Sequence, residues 1–274
     1  MTDPKCRVVA TNIASSDTSE RISFREVDVT KDLTVEVVSS ISGDFDSNVD
    51  LKSGFRVWEC SIDLAKYVYE NLSSEGDIHN LVELGCGHAL PGIAALLKSP
   101  SAVAYLHDLD PLVLEYITSR NVAKLDESVA SRARYVTGPW GRELSTVLGE
   151  GGRTFQLILS SEGIYKSSSF EPLLEMVNDL LDPVTGVALF AGKKLYFGCG
   201  GGTAPFMRAS QVPPADLCRR PSRLRPKHPA LNWLRNFIEE KCSEHLTCRS
   251  VAVFEDKRSN IREIVEVKKK KQHR

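Results

Sequence analysis

The sequence predicts an α/β fold: a mostly parallel sheet with helices on both faces, closed by an antiparallel hairpin near its C-terminal end. Three observations predict it. From residue 78 onward, short strand-like runs alternate with helical patterns, an order that forces parallel strands joined by crossover helices. The first of these strands runs directly into two glycines spaced by one residue and then a small-residue helix start, in the tract VELGCGHALPGI at 82–93. The last two strand-like runs, TCRSVAVFED and IREIVEVKK, are separated only by the short turn 256–260, which makes them a hairpin.

Taken in order, residues 1–20 are rich in Ser, Thr and Asp without periodicity and are expected to be a flexible start. Within 21–54, ISFREVDV and LTVEVVSSI alternate as strands and read as a preceding hairpin or lid. After Trp58, the apolar positions Ile62, Leu64, Ala65, Val68, Tyr69 and Leu72 recur at helical spacing, up to a stop near Glu75-Gly76. The alternation that follows gives strand 78–84, helix 91–98, strand 102–107, helix 111–123, strands 132–137 and 155–161, helix 170–181 and strand 186–192. Residues 203–230 hold many prolines and arginines and no apolar period, so a disordered insert is expected there, with order returning in the helical run LNWLRNFIEEKCSEH. One domain over 55–268 carrying that insert, followed by a basic tail at 269–274, is the organisation these patterns imply.

Composition sets limits. At 274 residues and 42% hydrophobic content the chain can bury one large core. A formal net charge of −1 gives no strong field toward nucleic acid or membrane. No apolar stretch is long enough to span a bilayer, and MTDPKCRVVATN lacks the pattern of a signal peptide. The seven cysteines form no C-x-x-C pair and the six histidines show no ligand spacing, which fits a reducing compartment and no metal site.

The glycine tract carries the chemistry. A dinucleotide fingerprint needs a third small residue three positions after the second glycine, and Leu90 stands there; a Walker loop needs Gly-Lys-Ser/Thr, which does not follow. What remains is the S-adenosyl-L-methionine version of the turn, in which Glu83 suits the cationic end of the ligand and Gly85 and Gly87 give it room. A second acid should end the next strand, roughly 20 residues on, and grip the ribose hydroxyls. AVAYLHDLD supplies it as Asp108, flanked by His107 and Leu109.

Other residues admit two readings from sequence. Trp58 and Glu59 open a helix, where an acid in the first turn is stabilised by the exposed amides. Trp140, in a Gly-Pro-Trp-Gly turn, is either a buried aromatic or the stacking partner of an adenine at a strand's C-terminal edge. Glu162, in SSEGIY after the fourth strand, either caps the next helix near Ser167 to Ser169 or works on the methyl acceptor. Phe197-Gly198-Cys199-Gly200-Gly201-Gly202 is either a linker or a close backbone track for a peptide.

VWECSIDL, VELGCGHALPGI, HDLDPLVLEYIT with RNV, GPW, LILSSEGIY and LYFGCGGG, in this order and spacing, resemble the protein-histidine N-methyltransferases, seven-strand Rossmann-like enzymes related to the small protein-lysine methyltransferases. The resemblance covers 54–202 and, more loosely, 231–268. Ala89 stands where many members have glycine or serine, and the insert 203–230 is a departure. What the resemblance implies is methylation of a histidine ring nitrogen in a protein, of which a large-subunit ribosomal protein is the known type. It implies that Val57, Trp58, Glu59, Cys60 and Ser61 fold over the methionine end of the cofactor, that Ser161 and Trp140 join its site, and that Glu162 and Tyr165 form the acid-x-x-Tyr pattern of the acceptor site. Tyr196, Phe197 and Gly198 then floor a flat imidazole. A lysine acceptor, or a cofactor-binding assembly protein without activity, are the other readings.

Lys268 to Lys271 and the cluster from Arg219 to Lys227 are solvated ends or a weak ribosomal RNA contact and import signal. A monomer in cytoplasm and nucleus, including the nucleolus, is the matching expectation.

Overall fold

The structure is a computed structural model that describes residues 6–9, 22–31, 33–41, 53–73, 78–211, 246–255 and 261–270. Two units divide the chain, Met1–Pro139 with Phe155–Ser161, and Trp140–Thr154 with Glu162–Arg274.

The first unit is built on strands β1 (Arg7–Val9), β4 (Asn80–Leu84), β5 (Val103–Asp108), β6 (Ala133–Thr137) and β7 (Leu157–Ser161), in the order β1-β6-β5-β4-β7. Strands β4 to β7 pair in parallel, and Glu83 stands opposite Leu106 of β5 and Leu159 of β7. Leu81, Val82 and Leu84 are fully buried, as expected of a strand covered on both faces. Helix α1 (Glu59–Asn71) buries Leu64, Ala65 and Val68 and packs on α2 (Leu90–Lys98), whose apolar start follows β4 through the glycine turn.

The expected helix 111–123 is three segments: α3 (Pro111–Val113), a π-helical turn (Leu114–Thr118) and α4 (Ser119–Ala123). Asp110 caps its start, accepting from the Leu112 N–H at 2.9 Å. A short α5 (Glu127–Ala130) precedes β6.

The two N-terminal strand patterns form an antiparallel ribbon, β2 (Ile22–Thr30) and β3 (Leu33–Ile41). Its buried Ile22 clusters with Phe55, Val113 and Ile117, and Glu36 pairs with Arg120 and Lys124 of the helical segment. Residues 7–9 correct the expectation of a flexible 1–20: they are an edge strand antiparallel to β6, with Arg7 opposite Thr137. Three residues carry no local pattern, so only their partner makes them a strand. The remainder of 1–20 lies outside the described residues.

The second unit contains α6 (Arg142–Leu148), α7 (Phe170–Leu180), β8 (Val187–Lys193), α8 (Thr203–Gln211), β9 (Leu246–Phe254) and β10 (Arg262–Lys269). Here the strand order is β8-β10-β9 and both pairings are antiparallel, which realises the expected C-terminal hairpin. Helix α7 buries Phe170, Leu173, Leu174, Met176, Val177 and Leu180 along one face.

Helix α8 corrects the expected boundary of the insert at 203. Phe206 is buried, with its ring 5.3 Å from Phe170 and 4.9 Å from Phe190, and the Thr203 hydroxyl donates to the buried Glu263 carboxylate. Pro205 gives the segment the look of a loop in sequence, yet in the first helical turn its missing N–H costs nothing. The rest of the expected insert, the helix expected at 231–245 and the turn 256–260 lie outside the described residues. Among the described residues, no helix is long and apolar enough to cross a membrane.

Candidate active site

In the first unit, the site grows from the end of β4. Gly85 and Gly87 have φ of 74° and 51°, the left-handed region that an L side chain enters only with strain. The turn is tied to β5: the Gly85 and Cys86 N–H groups both donate to the His107 carbonyl oxygen, at 2.9 and 2.7 Å, and the Gly87 N–H donates to Asp108 Oδ2 at 3.0 Å. A Cβ on Gly87 would lie 3.3 Å from the carbonyl oxygen of Gly54, so the segment ahead of α1 passes close to the turn. From below, the Thr118 hydroxyl donates to the Gly87 carbonyl oxygen at 2.6 Å.

Glu83 is fully buried. Its Oε2 accepts from the Gly92 N–H at the start of α2, at 2.8 Å, while Oε1 has no partner among the described residues. Burial pushes this carboxyl well above the usual carboxylate range, the Gly92 N–H opposes the shift and the charge of Asp108 adds to it. Asp108 is also buried, its Oδ1 accepting from the Asp110 N–H at 3.2 Å; burial raises its pKa to about 6 against those backbone hydrogen bonds.

His107 takes part with its ring as well as its backbone. Nε2 lies 2.7 Å from the Gly138 carbonyl oxygen, which can only accept, so Nε2 carries the proton and Nδ1 accepts from the Gly85 N–H at 3.3 Å. Burial lowers its pKa to about 4, with the Gly138 bond opposing, and the ring is neutral. His88, also held near 4 by burial, accepts from the Val38 N–H of the ribbon at 3.2 Å. Thr118, Gly138 and His88 carry no local signal in the sequence, because each acts through a partner distant in sequence.

The helix-opening residues are placed in order of exposure. Glu59 is exposed, Val57 and Trp58 are half-buried, and Cys60 and Ser61 are buried. Trp58 is the residue before α1, its indole N–H donating to the Ser53 carbonyl oxygen at 3.2 Å and its ring covered by Arg56. Leu109, next to Asp108, is an apolar side chain 57% exposed, and Ser161 is half-buried at the end of β7.

The residues of this turn fit an adenosyl cofactor. A buried carboxylate oxygen lacks a partner among the described residues, the turn runs through two left-handed glycines without Cβ atoms, and a second carboxylate is held by backbone N–H groups.

In the second unit, Glu162 follows directly on β7 with φ of 58°, a strained value for a residue with a side chain. Its N–H donates to the Ala191 carbonyl oxygen at 2.8 Å. The Tyr196 hydroxyl donates to Glu162 Oε2 and accepts from the Lys193 N–H at 3.0 Å, while Glu162 Oε1 is buried with no partner among the described residues. Neither oxygen of Glu162 therefore accepts from a backbone N–H of the 167–169 turn or of α7 among the described residues, which leaves the capping reading without a hydrogen bond. Tyr165, 38% exposed, meets Tyr196 edge to face with ring centroids 6.5 Å apart.

The glycine run is an anchored loop rather than a linker. The Gly202 N–H donates to the Ile164 carbonyl oxygen at 2.8 Å, Gly200 bridges Lys166, and a Cβ on Gly201 would sit 2.2 Å from the Tyr165 backbone. At its tip Phe197 is 81% exposed and Gly198 has φ of 79° with open space where a Cβ would be. Trp140 belongs to the second unit, half-buried, with its indole N–H lacking a partner among the described residues.

A parallel α/β core whose first βα turn carries this glycine pair, with an acid closing the next strand and a terminal antiparallel hairpin, defines the class of seven-strand Rossmann-like methyltransferases. The family model described as lysine methyltransferase matches residues 44–196, and the chain belongs to that family. It is similar to the histidine protein methyltransferase 1 homologue of Dictyostelium discoideum, 29% identical over 222 residues, covering 80% of this chain and 59% of the relative. The Bos taurus homologue is 31% identical over 198 residues, covering 61% of this chain and 52% of the relative. The Saccharomyces cerevisiae histidine protein methyltransferase 1 is 29% identical over 224 residues, covering 62% and 59%. The chain thus spans between half and three-fifths of the length of these relatives.

Proposed function

We propose that this chain transfers a methyl group from S-adenosyl-L-methionine to a ring nitrogen of a histidine in a protein substrate. The observation that carries the proposal is the buried Oε1 of Glu162, without a partner among the described residues, on a backbone held in the left-handed region. Similarity to relatives named as histidine protein methyltransferases supports it.

Bound at the glycine turn, the cofactor supplies an electrophilic methyl group on a sulfonium. Neutral imidazole already has the nucleophile, a lone pair on one nitrogen, and with a reference pKa of about 6.5 it is substantially neutral at physiological pH. The chain's work is therefore to orient rather than to activate. Glu162 Oε1 accepts the N–H of the non-reacting nitrogen, fixes the tautomer, and is at hand for the proton that the alkylated, cationic ring sheds. Tyr165 and Phe197 offer aromatic surface to the flat acceptor.

The substrate we favour is a large-subunit ribosomal protein, met as a monomer in cytoplasm and nucleus, the basic segments adding a weak RNA contact. Incubation with radiolabelled S-adenosylmethionine and a lysate lacking the endogenous activity, then acid hydrolysis and amino-acid analysis, tests this. Label in methylhistidine is expected. Label in methyllysine would replace the acceptor with the one in the family's description.

A further inference from the structure

The resemblance places Tyr196 beneath the acceptor ring, yet its hydroxyl is engaged by Glu162. We propose that Tyr196 is a positioning residue that decides which acceptor, and which nitrogen of it, the site takes; this rests on Glu162 orienting the acceptor as in the reading above. Its hydroxyl has two neighbours with fixed roles. The Lys193 N–H can only donate, so it takes a lone pair of the phenol oxygen, and the phenol proton goes to Glu162 Oε2. The Glu162 backbone is held in turn by its N–H bond to Ala191. With main chain and one oxygen both tied, Oε1 is the carboxylate oxygen left without a partner among the described residues.

One fixed acceptor oxygen matches a neutral imidazole, which has one N–H, in the ring plane and opposite its lone pair. It matches the neutral amine that a lysine would have to offer less well, since there two N–H donors and the lone pair sit on the same nitrogen and one acceptor oxygen fixes neither. Because the N–H and the lone pair of imidazole sit on different nitrogens, the direction of Oε1 also selects the nitrogen that is alkylated. Without the phenol proton, the terminal torsion of the carboxylate, which is broad in any case, is released and either oxygen can face the acceptor.

The test compares the parent, Tyr196→Phe, Glu162→Gln and the double variant, reading kcat, KM, the ratio of the two methylhistidine isomers, and cofactor affinity by calorimetry as a check on folding. Tyr196→Phe is expected to lower kcat by about 10- to 100-fold with cofactor affinity unchanged, the scale of a mispositioned reactant. It should also turn a single methylhistidine isomer into a mixture. In the Glu162→Gln background, removing the hydroxyl should cost no more than roughly a further 2-fold, since residues that act through one another are not additive. Additive losses, or an unchanged isomer ratio, would overturn the proposal while leaving the histidine reading in place. Methyllysine from the parent would overturn the histidine reading, and a non-additive cycle would then still retain Tyr196 as the residue that positions Glu162.

Discussion

Around the turn after β4 each acid is held by backbone N–H groups, Glu83 of β4 by Gly92 and Asp108 of β5 by Gly87 and Asp110, whereas after β7 Glu162 is held by a side chain, the phenol of Tyr196. The first arrangement needs glycines at set positions and tolerates little else. The second needs one particular partner 34 residues away. The first cluster is buried and shifts its own pKa values; Tyr165 and Phe197 of the second are exposed, as suits groups that meet a macromolecule.

The largest effects should come from filling the space that glycine leaves, and they should differ between the two regions. Gly87→Val puts a β-branched side chain at φ of 51° and against the Gly54 carbonyl oxygen, and should weaken S-adenosylmethionine binding by on the order of 100-fold or more. Gly201→Val meets the Tyr165 backbone instead, and should abolish methylation while calorimetry finds cofactor affinity near the parent's. Equal damage to cofactor binding from both would erase the distinction between the two clusters.

Glu162→Gln comes next. It keeps one acceptor oxygen but loses the charge and the proton acceptor, so the rate should drop by roughly 10²-fold with cofactor affinity intact. A rate within a few-fold of the parent would make the Tyr196 bond a loop tie only.

The same contrast explains what could be read from the sequence. Glu83, Gly85, Gly87 and Asp108 were legible because backbone-held turns impose short spacings, one residue between the glycines and one strand-helix-strand step between the acids. Glu162 and Tyr196 were each legible as candidates, but their bond was not, since nothing local links them. For the same reason β1 escaped, being a strand only by virtue of β6, and α8 was hidden by Pro205 and a buried face that its partners Phe170 and Phe190 define.

Asp108 gives a smaller, pH-dependent effect. Asp108→Ala should cost about 1.5–3 kcal/mol of cofactor binding, the range for a hydrogen bond to a charged group. In the parent, affinity should fall as pH drops below about 6, by no more than about tenfold per unit, as the carboxylate that the resemblance assigns to the ribose hydroxyls is protonated. The sign for folding is opposite. A folded pKa raised above the ordinary 3.8 means stability fully present below that value and lost as pH rises through about 6, at a cost of about 3 kcal/mol by neutral pH. Asp108→Asn should therefore melt higher than the parent at pH 7.5 in the ligand-free form while binding cofactor less well. A lower melting point would mean that the lost acceptor for Gly87 or Asp110 outweighs the relief of a buried charge.

The smallest effect concerns the two residues other than glycine that have left-handed backbone among the described residues, Ala89 in the first unit and Glu162 in the second. At Ala89 the resemblance would put glycine or serine. Ala89→Gly relieves about 1–2 kcal/mol of left-handed strain. Against that stand about 0.4–1 kcal/mol of added unfolded-chain entropy and about 0.8 kcal/mol for a lost buried methyl, since Ala89 is fully buried. These offset one another, so denaturant midpoints of the two proteins should agree to within about 0.5 kcal/mol. Cofactor affinity should also be unchanged, because Ala89 contributes its backbone, accepting the Ile93 N–H at 2.9 Å and donating to Cys86 at 2.7 Å. Glu162→Gly relieves the same strain and should nonetheless lose methylation, because there the side chain is what the strained backbone presents. If Ala89→Gly instead weakens cofactor binding tenfold, the methyl group is shaping the ligand's pocket and the first cluster is not held by backbone alone.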